Sequence, residues 1–261
     1  MGCQTMKISL NKDKSIGKVL YIVEGGKTEP YILWKLFASI FDYQVETLLR
    51  NKKYHKYNSK VNPNSQVFVI NAEESNIKNI DRDNDFLNNI FKELIENYDF
   101  DIDNSAIYYL FDRDKHSNTD TELIKQLISE LTNSRENENF LRQGLLLFSY
   151  PSIESFTLSN FQEDSFYKKF STGAKLKKHL HEHKFNHKNI DESTLVLATE
   201  ELFKAFSSMN IENYDIDDFG SCNMNIFEFE ECAYSKEELY QALSLISISL
   251  MDLGIIEIEN K

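Results

Sequence analysis

KVLYIVEGGKTEP, residues 18–30, is the stretch that decides the fold. Residues 18–23 are a run of β-branched, aromatic and aliphatic side chains that stops sharply at Glu24. Beyond Gly25 and Gly26, the apolar residues Ile32, Leu33, Leu36, Phe37 and Ile40 recur at the spacing of one helical face. A strand that runs straight into a helix needs a crossover to reach its neighbour, and that is how a parallel sheet is written.

The same unit recurs outward from there. Residues 66–70 read as a second strand, followed by a helix with Phe86, Ile90, Phe91, Leu94 and Ile95 on one stripe. Residues 106–111 read as a third strand. Thr119 and Glu122 then form a capping box before a helix bearing Leu123, Ile124, Leu127, Ile128 and Leu131. Residues 144–148 are continuously apolar, as in a strand covered on both faces, and Pro151 suits the first turn of the next helix. Beyond about residue 165 the alternation gives way to helical segments at 174–184, 195–208 and 235–253, while 71–85 and 132–140 are polar enough for loops. The expected architecture is α/β: a catalytic domain over 1–165 with a central, mostly parallel sheet flanked by helices, and a helical C-terminal region over 166–261.

Open parallel sheets bind ligands beyond the carboxyl ends of their strands, so the residues just after each strand carry the functional reading. They are acidic. Glu24 and Glu29 follow the first strand, Asp112 and Asp114 the third, and Glu154 the fourth. The two glycines after Glu24 permit a tight turn and close backbone approach to a ligand. In YYLFDRDKH the aspartates stand at i and i+2, so both carboxylates face one way if strand geometry continues through Arg113. Carboxylates held together suit Mg²⁺ or Mn²⁺, which keeps open positions for phosphate oxygens. Asp81 and Asp83 form a second D-x-D, but they precede a helix and read as N-caps.

The bulk properties set limits. The chain has 261 residues, 41% of them hydrophobic and 27% charged, which is enough for a substantial core. Its net charge of −13 argues against binding DNA by overall charge, so nucleic acid must meet local basic patches or metal. Cys3, Cys222 and Cys232 are too few and too scattered for a disulfide framework, which points to a reducing cytoplasm. No apolar run approaches a membrane span, and the N-terminus lacks a signal-peptide core, so membrane insertion and secretion are not expected.

Taken together, VEGGKTEPY at 23–31, FDRDKH at 111–116 and SYPSIESF at 149–156 resemble the Toprim fold of topoisomerases, primases and OLD-family nucleases, and within it the RloB-like, OLD-related branch. The likeness extends to about residue 165, with Phe156 where that branch commonly has Trp. The resemblance implies Glu24 as metal ligand or general acid/base, Asp112 and Asp114 as metal ligands, Glu29 and Glu154 around a second metal, and Lys27 or Lys115 steadying phosphate. It further implies a Mg²⁺- or Mn²⁺-dependent endonuclease acting on DNA or RNA, an effector of bacterial antiviral defence with a separate ATPase partner. A homo-oligomer is compatible with it. The alternative is a non-catalytic, acidic binding or inhibitory module of a defence complex.

GGKT at 25–28 is not a P-loop, because Tyr21 stands where that motif needs glycine. Arg50, Lys52, Lys53, Tyr54, His55, Lys56, Tyr57 and Lys60 interleave basic and aromatic residues, as a phosphate-tracking loop or a solvated connection would. Lys168, Lys169, Lys175, Lys177, Lys178, Lys184 and Lys188 form a second such cluster with the same two readings. His179, His183 and His187 fall at i, i+4 and i+8 but lack a catalytic glutamate, so an exposed titratable face is preferred over zinc.

Overall fold

The computed structural model describes residues 6–46, 54–72, 77–81, 85–116, 118–136, 143–212 and 214–260. Strands β1 (Met6–Leu10) and β2 (Lys18–Val23) lead to helix α1 (Thr28–Trp34), which continues as a wider π turn over Lys35–Ile40. Strands β3 (Tyr43–Glu46), β4 (Tyr54–Ser59) and β5 (Gln66–Asn71) follow, then helix α2 (Asp85–Tyr98), β6 (Ser105–Asp112), α3 (Thr121–Glu130), β7 (Thr132–Asn133) and β8 (Gly144–Tyr150). The remaining chain holds α4 (Glu154–Ser159), β9 (Lys169–Phe170), α5 (Gly173–Glu182), α6 (Glu192–Ser208) and α7 (Gly220–Glu237). It ends with β10 (Tyr240–Gln241), β11 (Leu243–Ser244), α8 (Ile246–Asp252) and β12 (Ile256–Asn260).

The protein is α/β, with a mixed central sheet in the order β11-β8-β6-β2-β5-β4-β3. Its four inner strands, β8, β6, β2 and β5, are parallel, and antiparallel strands close both edges. The inner strands are the four legible in the sequence, and both faces of the sheet are covered. Leu20 sits across from Phe68, which meets Tyr98 and Phe100 at the end of α2. Tyr21, one residue on and therefore on the other face, stacks on Tyr108 at 5.0 Å and donates to Ser249 of α8. Covering both faces explains why these strands read as unbroken apolar runs.

Residues beyond 165 enter the same assembly. β11 pairs with β8, and β12 pairs with β1 in a separate two-stranded ribbon. The 235–253 helix expected from periodicity is not formed. Glu238 takes a left-handed conformation (φ 55°) that ends α7, and two short strands precede α8. Tyr240, Leu243, Leu245 and Ile246 are all buried, and a short, fully buried run carries no period to separate strand from helix. The expected cap of α3 also shifts: Asp120, not Thr119, accepts the Leu123 N–H. The basic, aromatic stretch expected as a loop is β4, an antiparallel strand beside β5. Among the described residues no helix is long and apolar enough to cross a membrane.

α7 escaped the sequence reading because its inward face includes Asn223 and Glu230 among the apolar groups. Glu230 is fully buried, its Oε2 accepts the Gln241 N–H at 3.0 Å, and its Oε1 has no hydrogen-bond partner. Burial, reinforced by Glu231, pushes its carboxyl up to about 8 against the lowering effect of the Gln241 N–H. An unfolded glutamate titrates near 4.3, so between about 4.3 and 8 the folded chain holds a proton that the unfolded chain releases. Stability therefore falls as pH rises through that window and is level on either side of it. Glu230→Gln is expected to raise unfolding stability by on the order of 2–4 kcal/mol at pH 8, a gain that shrinks as pH falls toward 5. Urea denaturation of both proteins across that pH range measures the effect.

Candidate functional site

The chain enters the parallel sheet at its centre, passes from β2 to β5 on one side, and returns to β6 on the other. The carboxyl ends of β2 and β6 are therefore the switch point where crossovers diverge and leave a crevice. Glu24 follows β2 and Asp112 ends β6. The Asp112 N–H donates to Glu24 Oε2 at 2.7 Å, and Asn118 Nδ2 donates to the same oxygen at 3.4 Å and to the Asp112 carbonyl at 2.8 Å. Asp112 Oδ1 accepts the Ile153 N–H at 2.7 Å, which ties β6 to the turn after β8. Glu29, in the first turn of α1, accepts the Gly25 N–H on Oε1 at 3.1 Å. Glu154, at the start of α4, accepts from the Ser152 hydroxyl at 2.7 Å and pairs with Lys177 of α5 at 3.2 Å.

Glu24, Glu29 and Glu154 are buried, and their charges act on Asp112. Burial first, then Glu24, Glu29 and Glu154, hold the Asp112 carboxyl well above the usual range, against the Ile153 N–H. Burial pushes Glu24 up to about 7, aided by Glu29 and Asp114 and opposed by the Asp112 N–H and Asn118. Glu29 is raised by burial, with Glu154 adding to it and Lys177 opposing. Burial works against the charge on Lys177, but Glu154, Asp112 and Glu29 overcome it and raise the ammonium above its ordinary value.

One oxygen of Glu24, Glu29 and Asp112 is held by a protein N–H, while no donor from another described residue takes the second. The donors are all oxygen, which suits a hard cation such as Mg²⁺. Among the described residues, no group of three or more His, Cys, Asp or Glu side chains is already gathered to hold a metal. Mg²⁺ commonly takes only one or two carboxylates and completes its shell with water, so the donor chemistry fits it without a closed cage.

The glycines act through space. Neither Gly25 nor Gly26 has a positive φ, but a Cβ on Gly25 would lie 2.3 Å from Glu29 Oε2, and one on Gly26 would lie 2.8 Å from Asn71 Nδ2. Any side chain at 25 therefore displaces the Glu29 carboxylate.

Asp114 lies close enough to raise Glu24, and its Oδ1 accepts the His116 N–H at 2.9 Å. Arg113, between the two aspartates, points away from the crevice and is fully buried against Glu231 of α7 at 2.9 Å. Of the lysines expected at phosphate, Lys115 and Lys56 make other contacts. Lys115 pairs with Glu231 at 3.2 Å and lies over the Tyr234 ring, so it faces α7 instead of the carboxylates. Lys56 pairs with Glu46 at 2.8 Å and covers Phe68, a strand-surface role. Lys27 is exposed at the start of α1, and Lys52 and Lys53 lie outside the described residues.

Asn118 and Ser152 were not anticipated, and of the second basic cluster only Lys177 pairs with a site carboxylate. Asn118 lies six residues past Asp112, outside any motif, so nothing in the sequence marked it. The histidine series divides: the His179 and His183 rings lie 4.1 Å apart, while His187 packs against Tyr31. Comparison of the chain with family models, with curated proteins and with solved structures finds no match.

Proposed function

We propose that this chain is a Toprim-type, divalent-metal-dependent nuclease that hydrolyses phosphodiester bonds in DNA or RNA. The observation that carries the reading is the bond from the Asp112 N–H to Glu24 Oε2. It joins the Glu24 carboxylate to the backbone of Asp112, 88 residues away, at the switch point of the sheet, with Glu29 and Glu154 close enough to act on both Asp112 and Lys177. Asp112, with Asp114, Glu29 and Glu154 around it, would hold Mg²⁺ or Mn²⁺. When bound, the ion supplies Lewis-acid polarisation of the phosphoryl group and an activated water. Glu24, pushed up to about 7, is matched to moving a proton at neutral pH through the oxygen to which no described residue donates. Lys177 neutralises part of the acidic cluster and offers a cation where phosphate would approach. The motifs at 23–31, 111–116 and 149–156 support the narrower reading of an RloB-like, OLD-related effector in antiviral defence, served by a separate ATPase.

The second reading, an acidic binding or inhibitory module, is favoured by the net charge of −13 and by the Lys177–Glu154 pair, which neutralises part of the cluster internally. Incubation of the purified chain with plasmid DNA, single-stranded DNA and tRNA, in Mg²⁺, Mn²⁺ or EDTA, separates the two. Cleavage that needs the cation and is absent in EDTA is the expected result. Absence of cleavage of every substrate with either metal rejects the nuclease.

A further inference from the structure

Glu29 and Tyr31 lie two residues apart on α1, Glu29 buried in the carboxylate site and Tyr31 half-buried on another side of the helix. The Tyr31 ring is 5.3 Å from Trp34 on the same helix and 4.9 Å from His187, and the charge of Glu154 reaches His187. Three partly exposed rings therefore form a continuous ridge that runs from His187, within reach of the Glu154 charge, to Trp34, which is 37% exposed. A single exposed ring is ordinary, but a ridge near a candidate site is a recognition surface. Its flanks are cationic. Lys177 pairs with Glu154, whose charge also reaches His187, and Lys188, beside His187, makes no ion pair with a described residue.

Resting on the nuclease reading, we infer that Tyr31, Trp34 and His187 form a stacking platform that seats bases of a single-stranded nucleic acid. Lys177 and Lys188 track its backbone toward the carboxylates. Aromatic rings beside lysines are the general means of holding single strands, because every base offers a π face and every linkage a charge. A duplex keeps its bases stacked on one another and has no free face for the ridge. Ridge length, on the order of 10 Å, accommodates one to three bases.

Trp34 is the only tryptophan in the chain, so its fluorescence reports on the ridge alone. Oligo(dT), oligo(U) and a duplex of equal length are titrated into the full chain, once in EDTA and once in Ca²⁺. The expected result is quenching of Trp34 to roughly half by either single strand and little change with duplex, and affinity for the single strand lowered roughly tenfold by His187→Ala or Tyr31→Ala. Circular dichroism of both variants establishes that they are folded. No quenching in either condition, equal quenching by duplex, or unchanged affinity in both folded variants overturns the platform. Metal-dependent cleavage is followed in the same preparation: cleavage without a Trp34 response overturns the platform alone, whereas a Trp34 response without cleavage overturns the nuclease alone.

Discussion

Asp112→Asn is expected to lower cleavage by about a thousandfold or more while leaving the protein at least as stable as its parent. The loss follows from the proposed chemistry. Removing a carboxylate that holds the cation takes away several kcal/mol of charge stabilisation in the transition state, and each 1.36 kcal/mol is a factor of ten in rate. The gain follows from the structure. Asp112 sits among Glu24, Glu29 and Glu154, and burial together with these three charges disfavours its ionised form. Asparagine has the same shape, removes the repulsion, and keeps an oxygen for the Ile153 N–H that Oδ1 now accepts at 2.7 Å. Catalytic sites commonly trade stability for activity in this way. Initial rates on the best substrate, read beside thermal unfolding of both proteins, measure the pair of effects. A stable Asp112→Asn protein that cuts at the parental rate removes Asp112 from the chemistry.

Arg113→Ala is expected to cost about 3 kcal/mol of folding stability, at the lower end for breaking a buried ion pair because Lys115 remains beside Glu231. Arg113 is fully buried. Its Nε lies 2.9 Å and its Nη2 3.0 Å from the Glu231 carboxylate, its Nη1 donates to the Asn118 carbonyl at 2.6 Å, and its guanidinium lies over the Phe227 ring. Truncation leaves the Glu231 charge without its closest cationic partner and opens a void beside Phe227. The thermal midpoint should fall by roughly 6–12 °C. Adding Glu231→Gln should recover a large part of that loss, because the uncompensated charge is then gone. A single variant that unfolds with the parent would mean the pair carries no net weight. The same residue reaches the site indirectly, since Asn118 bonds both Glu24 and the Asp112 carbonyl.

Those two substitutions sit one residue apart and probe opposite sides of one strand end. Alternation turns Asp112 into the crevice and Arg113 into the core, so in the proposed reading the D-R-D string would serve chemistry beside the anchoring that Arg113 supplies. Only the first role was visible in the string itself.

What the sequence determined by itself is the set of inner strands and, to within two residues, the places where they stop. A run such as 18–23 buries both faces and ends at a charge, and that is a local property which no partner needs to supply. Glu24 and Asp112 were legible for the same reason, as carboxylates set at the ends of such runs. The tertiary structure decided what depends on neighbours distant in the chain. The strand order placed Glu24 against Asp112, the packing of α5 brought Lys177 to Glu154, and α7 turned Lys115 away to Glu231. Strand β4, written YHKYNS, looked like a loop because its buried residues Tyr54 and Tyr57 are three apart, on opposite faces with polar residues between, so no period of two shows, and only its pairing with β5 and β3 settles its form. Local pattern specifies which backbone segments are strands. Which charges meet is set by long-range packing, because an ion pair leaves no periodic trace in the residues that make it.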